Sequence, residues 1–149
     1  MATIRANILQ SLVTRLATIS GWTVRLRDVE NVDSNAPVIA IVYPIAEDKQ
    51  FDSSDAYLCT LRVGVLVTAR IENADDVDSH NPFLYLDRLI AAIEKKVHSP
   101  DSWGADPSFS DLEVNGHEVD EVEGDPTSVI GFVRLTFRYR HKFQDPDAP

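Results

Sequence analysis

Residues 57–71 carry an apolar side chain at every odd position, and that period of two constrains the fold more than any other feature of the chain. The odd positions carry Tyr57, Cys59, Leu61, Val63, Val65, Val67, Ala69 and Ile71, and the even ones include Thr60, Arg62, Gly64, Thr68 and Arg70. A period of two places the odd side chains on one side of a strand and the even ones on the other. One side needs an apolar cover, so the strand belongs to a sheet with a layer packed on it. A second such strand spans 129–143. Its odd face is Val129, Val133, Leu135, Phe137 and Tyr139, and its even face holds Arg134, Thr136, Arg138, Arg140 and Lys142.

The covering layer is predicted from two segments with helical spacing. Residues 3–19 place Ile4, Ile8, Leu12, Leu16 and Ile19 on one stripe, with Thr3 as N-cap and Ser20-Gly21 as the stop. A second helix opens at Pro82 behind an Asn81 N-cap, with Phe83, Leu86, Leu89, Ile90, Ile93 and Val97 as its stripe. Lys95, Lys96 and His98 sit at its C-terminal end, where the dipole favours positive charge. Trp22, Val24 and Leu26 alternate within a half-buried strand over 22–29. Residues 38–43, bracketed by Pro37 and Pro44, read as a short strand buried on both faces. Residues 47–55 read as a polar excursion. Residues 112–122 read as a hairpin, because Asn115-Gly116 is the dipeptide that a type I′ turn prefers. The order gives an α+β fold: a mostly antiparallel twisted sheet with two helices on one face and long strands or a hairpin extending from the body. Residues 1–143 form one domain and 144–149 a flexible tail.

Two features point toward assembly, and each has a plainer reading. Strands of about 15 residues reach about 50 Å, whereas a compact domain of this size is about 40 Å across. Either the strands extend and require a neighbour, or a bulge at Gly64 or Gly131 curls them back. Charge is also divided. Residues 101–125 hold nine acids and no Lys or Arg, and residues 134–142 hold four such cations and no acid. Glu113, Glu118, Asp120, Glu121 and Glu123 are the candidate acidic lumen or interface. Arg134, Arg138, Arg140 and Lys142 are the candidate basic interface. The plainer reading is a solvated acidic loop beside a solvated basic strand.

Composition limits the chemistry. With 149 residues, 44% of them hydrophobic, the chain can bury a core. The formal net charge of −10 argues against wrapping nucleic acid, whose affinity comes from Lys and Arg. A single cysteine, Cys59, allows no internal disulfide and reads as a core residue of its strand. The segment Met1-Ala2-Thr3-Ile4-Arg5 lacks the apolar core of a signal peptide, and no apolar run approaches the roughly 20 residues that span a bilayer. Folding in the cytoplasm is expected. His117-Glu118 begins a zinc-protease motif, but position 121 is Glu and the segment reads as strand. Counting from Asp76, a calcium loop would need Gly and Glu where Asn81 and Asp87 stand. The residues give no positive case for an enzyme, a metal or a cofactor.

The layout resembles the tail terminator proteins of long-tailed bacteriophages. The likeness is carried by the first helix, by the Pro-bracketed strand 38–43 and by the long strand ending Val65-Leu66-Val67-Thr68-Ala69-Arg70. It continues in Asn81-Pro82-Phe83-Leu84-Tyr85-Leu86-Asp87, in Gly124-Asp125-Pro126-Thr127 and in Val133-Arg134-Leu135-Thr136-Phe137-Arg138-Tyr139-Arg140. The resemblance implies a homo-oligomeric ring, hexameric in this family, that caps the tail tube, ends its polymerisation and joins tail to head. It further implies the tail tube protein and a head-completion or neck protein as partners, DNA in passage through the ring, no cofactor and no membrane. The location it implies is the virion, with assembly in the bacterial host cytoplasm. Another neck or head-completion protein is the first alternative. A small cytosolic enzyme or ligand-binding α+β domain is the second, and it would need a concave pocket with convergent polar groups.

Overall fold

The computed structural model describes residues 3–26, 38–53, 55–70, 81–98, 109, 111–121, 128–142 and 145. The first helix, α1, is Ile4–Leu16. The Thr3 hydroxyl accepts from the Ala6 amide at 3.1 Å, satisfying a donor that the first turn leaves open. Ile4, Ile8, Leu12 and Leu16 are buried along one stripe, as the spacing requires. Gly21, at φ +83°, turns the chain into β1, Trp22–Leu26. The second helix, α2, is Pro82–Val97. The Asn81 side chain accepts from the Phe83 and Leu84 amides, and Pro82 fills the first helical position. Phe83 shares the angle of the predicted stripe but is 56% exposed. Tyr85 lies in the core instead, so the first turn overhangs the packed layer.

Three long strands complete the sheet with one shorter one: β2, Val38–Ser53; β3, Ala56–Arg70; β4, Asp111–Glu121; and β5, Ser128–Lys142. Their spatial order is β1-β2-β3-β5-β4, with β1 parallel to β2 and every other pair antiparallel. The α+β class and the helices on one sheet face are as the pattern predicts. The core lies between that face and the helices. Val38, Ala40 and Val42, then Val63, Val65 and Val67, then Val133 and Leu135 meet Ile8, Leu12, Leu86, Ile90 and Ile93. Each such side chain contributes roughly 1.5–3 kcal/mol by leaving water.

Two segments differ from expectation. Residues 47–53 are not an irregular excursion. They continue β2 past Pro44, and that strand is neither short nor buried on both faces. The reason is topological. Among the described residues β1 pairs with β2 as far as Leu26 opposite Val42, and no described strand pairs with the remainder of β2 on that side. A charged composition there guards an exposed edge. Residues 111–121 likewise form one strand along β5, not a hairpin. Asn115-Gly116 is the site of a register shift between Val114 and Gly116, with Gly116 at φ +132°. Leu112 and Val114 face the core at even positions, whereas Val119 is opposite core-facing Gly131 at an odd one. One extra residue is needed to change phase, and the bulge supplies it.

The shift in β2, between Pro44 and Ala46, lies at the same height, since Pro44 opposes Val63, Val63 opposes Leu135, and Leu135 opposes Val114. Between these two bulges, β3 and β5 pair without a shift, so neither Gly64 nor Gly131 is a bulge. Each is small for a contact. A Cβ on Gly64 would stand 2.6 Å from the Phe132 ring, and one on Gly131 would stand 2.8 Å from Leu86 Cδ1. The tail expected at 144–149 lies outside the described residues, Asp145 excepted. Gly131→Ala is expected to destabilise the protein by about 1–3 kcal/mol, because the methyl group must displace the Leu86 side chain within a packed core. Urea unfolding measures this, and the loss should shrink in the double variant with Leu86→Ala.

Candidate functional site

The sheet face away from the helices carries the candidate residues. In register across it stand Ile39, Thr68 and Ile130, then Ile41, Leu66 and Phe132, then Tyr43, Gly64 and Arg134. The apolar members are half-buried, and no described helix covers them. Phe132 and Tyr43 lean over Gly64 with ring centroids 5.7 Å apart, and the Arg134 guanidinium lies over the Phe132 ring at 5.6 Å. Below this platform, where the two bulges crease the sheet, a cavity of about 520 Å³ opens outward. Ile45, Thr60, Arg62, Arg134, Thr136 and Arg138 line it, and Glu113 and Asn115 close its β4 side. Ile45 is the extra residue of the β2 bulge and is 48% exposed. The Thr136 hydroxyl donates to the Asn115 side-chain oxygen.

The structure brings the acidic and basic candidates together within one chain. Arg134 pairs with Glu118. Arg138 pairs with Asp111 and with Glu113, the latter at 2.9 Å. Hydrogen bonds that the Arg138 guanidinium donates to Glu113, then to Asp111, raise its pKa above the ordinary value. Arg140 turns the other way, to Asp52 of β2. Lys142 ends β5, where its carbonyl accepts from the Asp145 amide at 3.2 Å. Asp120 and Glu121 stand opposite Ile130 and Val129 in the ladder, and Glu123 lies outside the described residues. Arg62, absent from the predicted set, joins the groove from β3 and pairs with Asp48 at 3.1 Å. Its even position in the period-two strand was the available signal.

A second cluster lies on the helix side. Beyond the β2 bulge the core-facing parity switches, so Glu47 faces inward opposite Leu61. It accepts hydrogen bonds from Arg5 of α1 and from the Tyr139 hydroxyl of β5. Burial works to raise the Glu47 pKa, but the bonds from Tyr139 and Arg5 outweigh it, and the carboxyl sits below the usual range. Burial, then the bond to Glu47, pushes the Tyr139 phenol far above its ordinary value. Burial and the Glu47 charge also raise the thiol of the fully buried Cys59. This is an arrangement that holds charge in place and leaves the thiol protonated, and it ties the helix layer to two strands. Among the described residues no three His, Cys, Asp or Glu side chains are grouped to hold a metal ion, and no helix is long and apolar enough to cross a membrane.

No protein-family model matches the chain, and no curated protein matches it.

Glu47 generates a pH prediction. Its pKa is lower in the folded state, so its contribution is complete above the unfolded carboxylate value, near 4.3, and is lost as pH falls through the folded value. Glu47→Gln should cost about 1–3 kcal/mol at neutral pH and flatten the acid limb of the stability curve. Urea midpoints measured from neutral to acid pH test this. A variant as stable as wild type at pH 7 would remove Glu47 from the account.

Proposed function

We propose that the chain is a non-enzymatic, ring-forming structural protein of the phage tail terminator type, capping a tail tube and presenting a surface to the head or neck. One observation carries the assembly part of the reading: both described helices lie on one face of the sheet. The other face keeps Ile39, Ile41, Tyr43, Leu66, Ile130 and Phe132 half-buried beside the exposed Ile45. Arginines and carboxylates rim this apolar centre. An apolar middle rich in aromatic side chains, ringed by charge and Arg, is the anatomy of a protein interface. The tail terminator part rests on the order of elements and on the segments quoted above. A heterologous contact through such a face closes into a ring when its rotation allows.

The test is the mass of the purified full chain by size-exclusion chromatography with light scattering, with and without tail tube protein, and electron microscopy of the same fractions. Rings with a mass several times 16.6 kDa are expected. Ile45→Asp should weaken association at least about tenfold, the equivalent of about 1.4 kcal/mol, with an unchanged circular dichroism spectrum. A 16.6-kDa species at every concentration and salt, with tube present or absent, overturns the proposal.

A further inference from the structure

We propose that Asn115, at the β4 bulge, is a self-modifying site: the main-chain nitrogen of Gly116 attacks the Asn115 side-chain amide, and the asparagine becomes aspartate or isoaspartate without an enzyme.

Access singles out this residue. Asn7, Asn81 and Asn115 are the asparagines among the described residues, and the residue that follows each decides what its side chain meets. Asn7 lies inside α1 and precedes Ile8, whose branched side chain crowds the intervening nitrogen. Asn81 precedes Pro82, which has no N–H to give up. Asn115 precedes Gly116, which has no Cβ to obstruct its own nitrogen. Asn115 is exposed, and the β4–β5 register steps from Val114 to Gly116 without giving it a partner. A bulged residue is the one that the ladder leaves unpaired. Gly116 stands at φ +132°, and even a Cβ there would meet nothing within 4 Å. The main chain at this point therefore has room to bring the side-chain amide onto the next nitrogen.

The neighbours of the amide supply activation. The Thr136 hydroxyl donates to Asn115 Oδ1, and Thr136 is only 6% exposed, so little water competes for that bond. Attack at Cγ moves electron density onto Oδ1, where a donor already in place stabilises the developing charge. On the other side of the amide, Nδ2 lies 3.5 Å from the Glu113 carboxylate. The Gly116 nitrogen bonds to Cγ and loses its proton. The bond from Cγ to Nδ2 breaks, Nδ2 takes up a proton, and ammonia leaves a five-membered imide. Water then opens the ring. Opening at Cγ gives aspartate, and opening at the Asn115 main-chain carbonyl gives isoaspartate. Water is the only co-reactant, and nothing is oxidised or reduced.

The product changes the groove. Asn115 lines it beside Arg134, Arg138 and Glu113, so either product sets a new carboxylate among them in a chain already at net charge −10. Isoaspartate also inserts a carbon into the main chain at the residue where β4 changes parity.

The experiment incubates the purified full chain at mildly alkaline pH and follows it by anion exchange and by peptide mapping with mass spectrometry, using a fragmentation that separates aspartate from isoaspartate. Loss of the amide at Asn115 is expected, with one added negative charge, while Asn7 and Asn81 keep theirs. Thr136→Val should slow the conversion at least about tenfold, as loss of a donor to a developing oxyanion does. Thr136→Ser, which keeps the hydroxyl, should restore it. Circular dichroism shows that each variant is folded before its rate is compared. An Asn115 amide that survives as long as that of Asn7 overturns the site. Conversion of the folded Thr136→Val chain at the wild-type rate or faster overturns the activation by Thr136.

Discussion

Antiparallel pairing of β3 with β5 runs from Ala56 opposite Lys142 to Arg70 opposite Ser128 with no shift in register, and every other element takes its place from that pair. Because the side-chain period is two, an unbroken register keeps one face apolar along the whole length of both strands. Leu61, Val63, Val65, Val67, Val133, Leu135 and Phe137 are thereby held on a single surface, nearly all of it dry. The two helices need only one stripe each to cover it. Gly131 completes the fit, since without a Cβ it lets Leu86 and Ile90 of α2 come down onto the strand. The same absence at Gly64 on the opposite face lets Phe132 and Tyr43 lie over the backbone.

The outer strands bend where the central pair does not. Bulges at Ile45 in β2 and Asn115 in β4 fall at one height of the sheet, and each reverses the parity of its strand. In β2 the reversal turns Glu47 inward to Arg5 and Tyr139. In β4 it keeps Glu118 on the same face as Glu113, though five positions apart, so that both meet β5 arginines. The groove is therefore a consequence of two inserted residues on either side of a rigid pair. A bulge commonly re-aims side chains near a functional surface.

What was legible in the sequence follows from this division. β3 and β5 declared themselves because their parity never changes. The helices did so because Thr3 and Asn81 cap them and their stripes are continuous. The arginines of the even face were legible for the same reason. β2 and β4 were hidden at the point where parity changes: a pattern search takes a phase reversal for a strand end, and Asn115-Gly116 mimics a hairpin turn. Strand order was hidden too, because nothing local says that β5 lies between β3 and β4. That order is what brings Glu113 and Glu118 to the arginines of their own chain and sets Tyr139 within reach of Glu47, whereas the Arg62–Asp48 contact was hidden by the phase reversal in β2.

The two electrostatic clusters then differ in kind because water reaches them differently. Glu47 has a side chain only 10% exposed, and its bonds to Arg5 and Tyr139 fix a helix against two strands in surroundings that screen little. The pairs on the open face have side chains between 34% and 61% exposed at Arg134, Arg138, Glu113 and Glu118. They are individually weak and give little preference for one carboxylate over another. Exposed pairs of this sort add little to folding stability, yet they hold Arg134 and Arg138 of a strongly acidic chain in one row along β5. That row borders an apolar platform which no described helix covers. Water competes for the exposed pairs at small cost, whereas the Glu47 cluster, once dry, is committed to the fold.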